Sequence, residues 1–293
     1  MSLVGKFARY RQSQLDKKAK AAQDASSPTP ESGKEKEMTF LDHLEELRWH
    51  IIRSLVAILV IAVVVFINRV WVTDNIYLWP YQQDFPLHQW LSNWGVKDFA
   101  GVEVLPITTG PYDQFLLALG MAFVGGFIVA FPYVLWELWR FLKPGLHGHE
   151  KSRFRGAVFI LSVLFFVGVA FGYYIITPFS VSFLADFQVS EIVKNQWRIN
   201  KIIGMINQIV IAGGVVFEMP VLVYILSKMG VITPAAMKKY WRHAAVVLMV
   251  LSALITPPDL LSQVLIFIPL AVLYRLSMGI SAFVNRKREK ELE

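Results

Sequence analysis

Cysteine is absent from all 293 residues, which excludes disulfides, thiolate nucleophiles and sulfur-ligated zinc. Charge is scarce too, at 17% of the chain against 55% hydrophobic residues, with a mean hydropathy of +0.47. A soluble domain of this length carries more charge and fewer long apolar runs. The composition therefore reads as an all-α, polytopic membrane protein. There is no nucleotide-binding glycine loop and no nucleophile–base arrangement, so the chain reads as no enzyme and needs no cofactor. The first 38 residues hold no apolar run, hence no secretory signal, and Asp16, Asp24, Glu31, Glu35 and Glu37 argue against an organellar transit peptide. The stretch from Ser26 to Gly33 is a disordered linker by composition.

What is present is six apolar segments, at about 51–71, 115–136, 157–176, 205–227, 243–255 and 260–274. With the N-terminus inside, 24 of the 29 Lys and Arg residues fall in or beside inside segments, leaving only Arg69, Lys97, Lys194, Arg198 and Lys201 outside. Both termini are therefore expected to be cytoplasmic. The net charge of +7 then reflects basic loops meeting anionic membrane lipids, not nucleic acid. The last two segments reach roughly 20–23 Å, short of a hydrocarbon core of roughly 30 Å. Thr256-Pro257-Pro258-Asp259 joins them in a tight turn, so this hairpin either stops below the outer surface or thins the bilayer.

Ahead of the first span, Leu41, Leu44, Leu47 and Ile51 recur at helical spacing and form one apolar stripe. Thr39 and Asp42 make a variant capping box at its start. Glu45, Glu46, His43 and Arg48 flank the stripe, so carboxylates stand at the water–lipid boundary on what is either an anchor helix or a recognition surface. Trp71, Trp79, Trp90 and Trp94 predict that the first outside loop, about 72–114, is a cap in the outer interface. Its lone His88 has no second ligand spaced for a metal. Pro144-Gly145 forces a turn, after which Glu150 falls where the next helix dipole favours an acid. His147, His149 and Glu150 read as polar turn residues, not a metal site. Gly168 and Gly172 form a small-xxx-small face for close helix packing.

Glu218, midway through the fourth span, is costly in hydrocarbon unless neutralised, hydrated or paired. Either it is functional, or it is a protonated carboxyl bonded to nearby backbone. Gly213, Gly214 and Pro220 around it predict a bent helix with a thin wall, and Gly214 and Pro220 predict free space beside the acid.

Taken together, His43-Leu44-Glu45-Glu46-Leu47-Arg48, Phe141-Leu142-Lys143-Pro144-Gly145-Leu146 with Glu150, Phe171-Gly172-Tyr173 with Pro178, Phe217-Glu218-Met219-Pro220 and Thr256-Pro257-Pro258-Asp259-Leu260-Leu261-Ser262-Gln263 resemble one family. It is TatC, the multi-span subunit of the twin-arginine translocase, and the likeness covers about Thr39 to Ser277. The resemblance implies a curved, cupped six-helix membrane domain over 39–277, preceded by a cytoplasmic extension at 1–38 and followed by a basic tail at 278–293. It implies a bacterial inner-membrane receptor whose Glu46 and Glu150 take the paired arginines of a signal peptide, with Phe141, Leu47 and Arg48 beside them. It further implies Glu218 in an intramembrane groove, Thr256 and Gln263 facing single-span TatA and TatB partners, a homo-oligomeric receptor complex, and export of folded cargo driven by the proton-motive force. His50 and Arg275 depart from the family pattern and receive no role. The runner-up is a proton-coupled secondary transporter using Glu218, against which no internal repeat is found.

Overall fold

The computed structural model describes residues 40–94, 106–142, 154–187, 196–256 and 260–292, together with Ser190 and Ile192. Thr39, the Pro144-Gly145 turn, His147, His149, Glu150 and residues 257–259 lie outside these. By internal contacts the chain divides into Met1–Glu46 and Leu47–Glu293. Of the first unit, only the opening of one helix is described.

The described residues are nearly all helical, with an isolated bridge between Ile107 and Arg198 as the only extended pairing among them. Helix α1 (Phe40–Ile67) contains the first span, and α2 (Asp113–Leu142) the second. Helix α3 (Phe154–Phe171) passes through a wide π turn at Gly172–Ile176 into α4 (Thr177–Asp186), giving a third span over Val158–Asp186. The turn lies just before Pro178, which lacks an amide proton, and the Thr177 hydroxyl donates to the Gly172 carbonyl at 3.0 Å. Helices α5 (Ile199–Phe217) and α6 (Met219–Lys228) form the fourth span with Glu218 at their junction. The fifth apolar helix, α7 (Trp241–Ile255), has only 15 residues, whereas α8 (Leu260–Leu292) has 33. Among the described residues five helices are thus long and apolar enough to cross a membrane, with α7 a shorter sixth.

The expected brevity of the last two helices holds for α7, but α8 is longer than its apolar segment suggested. At Arg275, where the apolar segment stops, the guanidinium lies over the Trp241 ring at 5.4 Å while Tyr274 packs on the same ring at 5.2 Å. The ring face attracts the cation, so the arginine is accommodated within a helix that runs on to Leu292. The face of α8 is then pinned by hydroxyls: Ser262 to Ser180 at 2.8 Å and Ser281 to Ser227 at 2.7 Å, all four buried. Such pairs satisfy polar groups that hydrocarbon leaves without partners.

Small residues set the closest helix crossings. A Cβ on Gly213 of α5 would lie 2.7 Å from the Gly168 carbonyl oxygen of α3, and one on Gly172 would lie 3.0 Å from that of Ile209. On the other side, a Cβ on Gly126 of α2 would lie 2.7 Å from the Ile58 oxygen of α1. Between these crossings Phe131 of α2 stacks on Phe165 of α3, with centroids 3.5 Å apart.

The described part of the loop between α1 and α2 is packed, held by tyrosines, Phe85 and the half-buried Trp79, whose ring meets those of Phe85 and Tyr174 at 5.0 and 6.4 Å. Tyr77, Tyr81 and Phe85 are buried while Trp71, Trp90 and Trp94 are exposed. The Tyr77 hydroxyl donates to Asn207 and that of Tyr173 to the Ile76 carbonyl. Burial pushes the Tyr77 and Tyr81 phenols above their ordinary value, so both stay neutral. His88 is buried with Nε2 3.0 Å from the Pro80 carbonyl oxygen, a packing role rather than a ligand's.

The glycine crossing can be tested directly. Gly168→Ala should lower the melting temperature of the purified protein, at a cost of about 1–3 kcal/mol. Gly204→Ala, on the same pair of helices with open space around it, should leave the temperature unchanged or raise it. Equal behaviour of the two variants would show that the backbones can separate freely.

Candidate functional site

At the start of α1, Glu46 and Leu47 are half-buried, and Arg48 is exposed. At the opposite end of α2, Phe141 is half-buried, and Glu150 lies beyond the described residues. The sequence reading missed what lies between α1 and α2. His50 and Glu137 are both buried, at 6% and 2% exposure, and the His50 Nδ1 is hydrogen-bonded to Glu137 Oε2. With Glu137 ionised the carboxylate only accepts, and the imidazole N–H is then the donor. The Tyr133 hydroxyl donates to Oε1 at 2.9 Å, so both oxygens of Glu137 are used. The Phe141 ring meets the His50 ring edge-on at 6.1 Å. A signal for this cluster was present in the sequence, since Glu137 is an acid among Trp136, Leu138 and Trp139 within a span. The rule that singled out Glu218 applies to it equally.

Glu218 has the opposite surroundings. It is 9% exposed, and neither carboxyl oxygen has a hydrogen-bond partner among the described residues. Its backbone closes α5 onto Val215 and opens α6 through Val221 and Leu222, and Pro220 gives up one amide donor. The bend expected here is present as a helix junction. The free space expected beside Gly214 is not. Gly213 is occupied by the α3 backbone, and a Cβ on Gly214 would come within 2.5 Å of the Phe165 ring. Glycine in these positions admits neighbours rather than leaving a void.

At the hairpin, the Thr256 hydroxyl is buried and donates to the Ser252 carbonyl at 2.9 Å. That hydroxyl is thus turned inward. Gln263 is half-buried and donates to the Met249 carbonyl at 3.3 Å. It lines an open groove of about 400 Å³ with Val246, Met249, Val250, Ala253 and Leu254. Among the described residues no three His, Asp or Glu side chains cluster as metal ligands.

The described residues thus form a run of apolar helices with acids at the start of the first, a proline-broken helix at Glu218 and a short penultimate helix. Residues 42–269 match the family model for the Sec-independent protein translocase protein TatC. The chain belongs to the TatC family. The TatC of Blattabacterium sp. subsp. Periplaneta americana is 33% identical over 260 residues, covering 86% of this chain and 98% of the relative. That of Aquifex aeolicus is 30% identical over 254 residues, covering 86% and 98%. The structure is similar to a crystal structure described as the twin arginine translocase receptor TatC, with a TM-score of 0.66 and 30% identity, covering 83% of this chain and 99% of that one. Membership in TatC makes this chain a multi-pass membrane component of the Sec-independent Tat translocase, with a transport rather than a chemical task. It also takes the place of the secondary-transporter alternative.

A buried carboxyl without partners costs stability, which gives Glu218 a signature independent of transport. Glu218→Leu should raise the melting temperature, by the equivalent of about 1–3 kcal/mol. A lower melting temperature would mean that the carboxyl is already satisfied where it stands.

Proposed function

We propose that the chain is the core receptor subunit of the twin-arginine translocase. It binds twin-arginine signal peptides of folded cargo at its cytoplasmic face and organises TatA- and TatB-like single-span partners for export driven by the proton-motive force. The observation that carries this reading is the match to a solved twin arginine translocase receptor along 99% of that chain's length. In this reading Glu46 and Glu150 each accept one arginine. A guanidinium is a planar fork that a single carboxylate fills bidentately, so two arginines need two acids. Phe141, Leu47 and Arg48 complete the peptide surface, with the half-buried Phe141 ring and Leu47 offering apolar contact. The distribution of basic residues supports an inner-membrane protein with both termini cytoplasmic, and the complex is a homo-oligomer.

The groove beside Gln263 suits an apolar partner helix that brings one polar group to the glutamine, and Thr256 shapes the end of α7 for it. Glu218 is the intramembrane acid of this scheme. As a buried, unpaired group it is the one a partner helix or entering water would most favour, since either would supply the missing hydrogen bonds.

The test is peptide affinity. Glu46→Gln and Glu150→Gln should each weaken binding of a twin-arginine signal peptide to the purified, folded protein by about 2–5 kcal/mol, roughly thirty-fold or more. A twin-lysine peptide should bind weakly to the unaltered protein and respond little to either change, because an ammonium cannot make the bidentate contact. Unchanged twin-arginine affinity in both variants would return the two acids to surface charge and helix capping.

A further inference from the structure

We propose that Glu137, with His50 and Tyr133, is a positioning residue for signal-peptide recognition, fixing the inner end of α2 against α1 and thereby holding the Phe141 ring in place. The inference rests on the receptor reading, because it gives Phe141 a role there. His50 and Glu137 stand 87 positions apart in the chain, and their contact joins two different spans. Glu137 is 2% exposed and has both oxygens hydrogen-bonded, so it is a finished cluster and not an open ligand site. Replacing a buried pair of this kind with apolar side chains is often neutral or stabilising. Stability alone therefore does not require an acid and an imidazole at this place.

What the pair adds over two leucines is direction. Apolar packing lets a helix rotate by fractions of a turn at little cost, whereas a hydrogen-bonded pair with a third donor holds one rotation. Helices α1 and α2 already touch where Gly126 packs on the Ile58 carbonyl and Gly125 on Val65, and where Phe66 meets Phe115 edge-on. All of these lie toward the ends of the two helices away from Phe141. The His50–Glu137 bond, about three turns beyond Gly126 along α2, adds a directional contact at the Phe141 end. Phe141 lies one turn beyond Glu137 and its ring packs edge-on against His50 itself. A rotation of α2 that broke the bond would carry Phe141 away from its place. Arg53 is exposed on α1 and lies within electrostatic reach of Glu137, and exposed Arg140 lies within reach of Tyr133. The cluster is therefore flanked by two exposed positive charges.

The experiment uses the full chain and a twin-arginine signal peptide, with spin labels on Trp49→Cys and Leu138→Cys, both exposed positions in a chain without native cysteine. Glu137→Leu should weaken peptide binding about ten-fold and broaden the distance distribution between the labels. Glu137→Gln should keep affinity within about two-fold and the distances sharp, since its amide can donate to His50 and its carbonyl can accept from Tyr133. The double variant His50→Leu with Glu137→Leu removes the lone buried partner and so guards against simple unfolding. It should melt normally yet bind peptide as weakly as Glu137→Leu. Full peptide affinity in the double variant, or broadened distances with unchanged affinity, would overturn the positioning role. Absence of peptide binding by the unaltered chain would instead sink the receptor reading, with the label distances still reporting whether the pair fixes α2.

Discussion

Where α3 crosses α5, Gly168 and Gly213 bring two backbones so close that one methyl group has no room. Lipid tails are as apolar as leucine, so burial of hydrocarbon side chains cannot by itself hold membrane helices together. Close backbone approach and a few internal hydrogen bonds do that work. Once α3 is locked on α5, Phe165 is driven under Gly214 and stacks on Phe131 of α2. Gly126 passes the same constraint from α2 to α1. The buried serine pairs do the equivalent for α8, tying it to α4 and α6. The ends of α1 and α2 that meet at His50 and Phe141 thus inherit part of their geometry from contacts far from them.

Two buried acids in this fold have opposite surroundings. Glu137 receives two hydrogen bonds, one from each side, while the carboxyl of Glu218 receives none among the described residues. A satisfied acid holds helices in place, whereas an unsatisfied one raises the free energy of the state it is found in. Glu218 also sits at the junction where the fourth span changes from α5 to α6, where Pro220 has already loosened the backbone ladder. In the receptor reading this places stored cost at a bend, which any partner that hydrates or pairs the acid would relieve.

Much of this was legible in the sequence. The Gly168 and Gly172 spacing announced a close crossing, Pro220 announced the bend two residues before it, and the apolar runs located the helices. Other features were not legible, for identifiable reasons. Gly214 read as empty space because a sequence shows that a side chain is missing but not which neighbour fills the gap. The length of α8 was hidden because Arg275 reads as a helix's polar end until Trp241 is seen beneath it. The tryptophans suggested a cap, and Trp79 packs into it, yet the hydroxyls of Tyr77 and Tyr173 find partners on other segments that a sequence does not show. His50 gave no sign of Glu137, since helical periodicity reports a face and never the distant residue that completes it.

The receptor account stands most directly on where a signal peptide lies. A photo-crosslinking amino acid in place of Phe141, presented with a twin-arginine peptide in membranes, measures this. The account predicts an adduct at peptide residues next to the arginine pair, lost when the pair is replaced by lysines and when Glu46 or Glu150 is changed to Gln. An adduct of equal yield with the twin-lysine peptide, or none with the twin-arginine peptide, would contradict it.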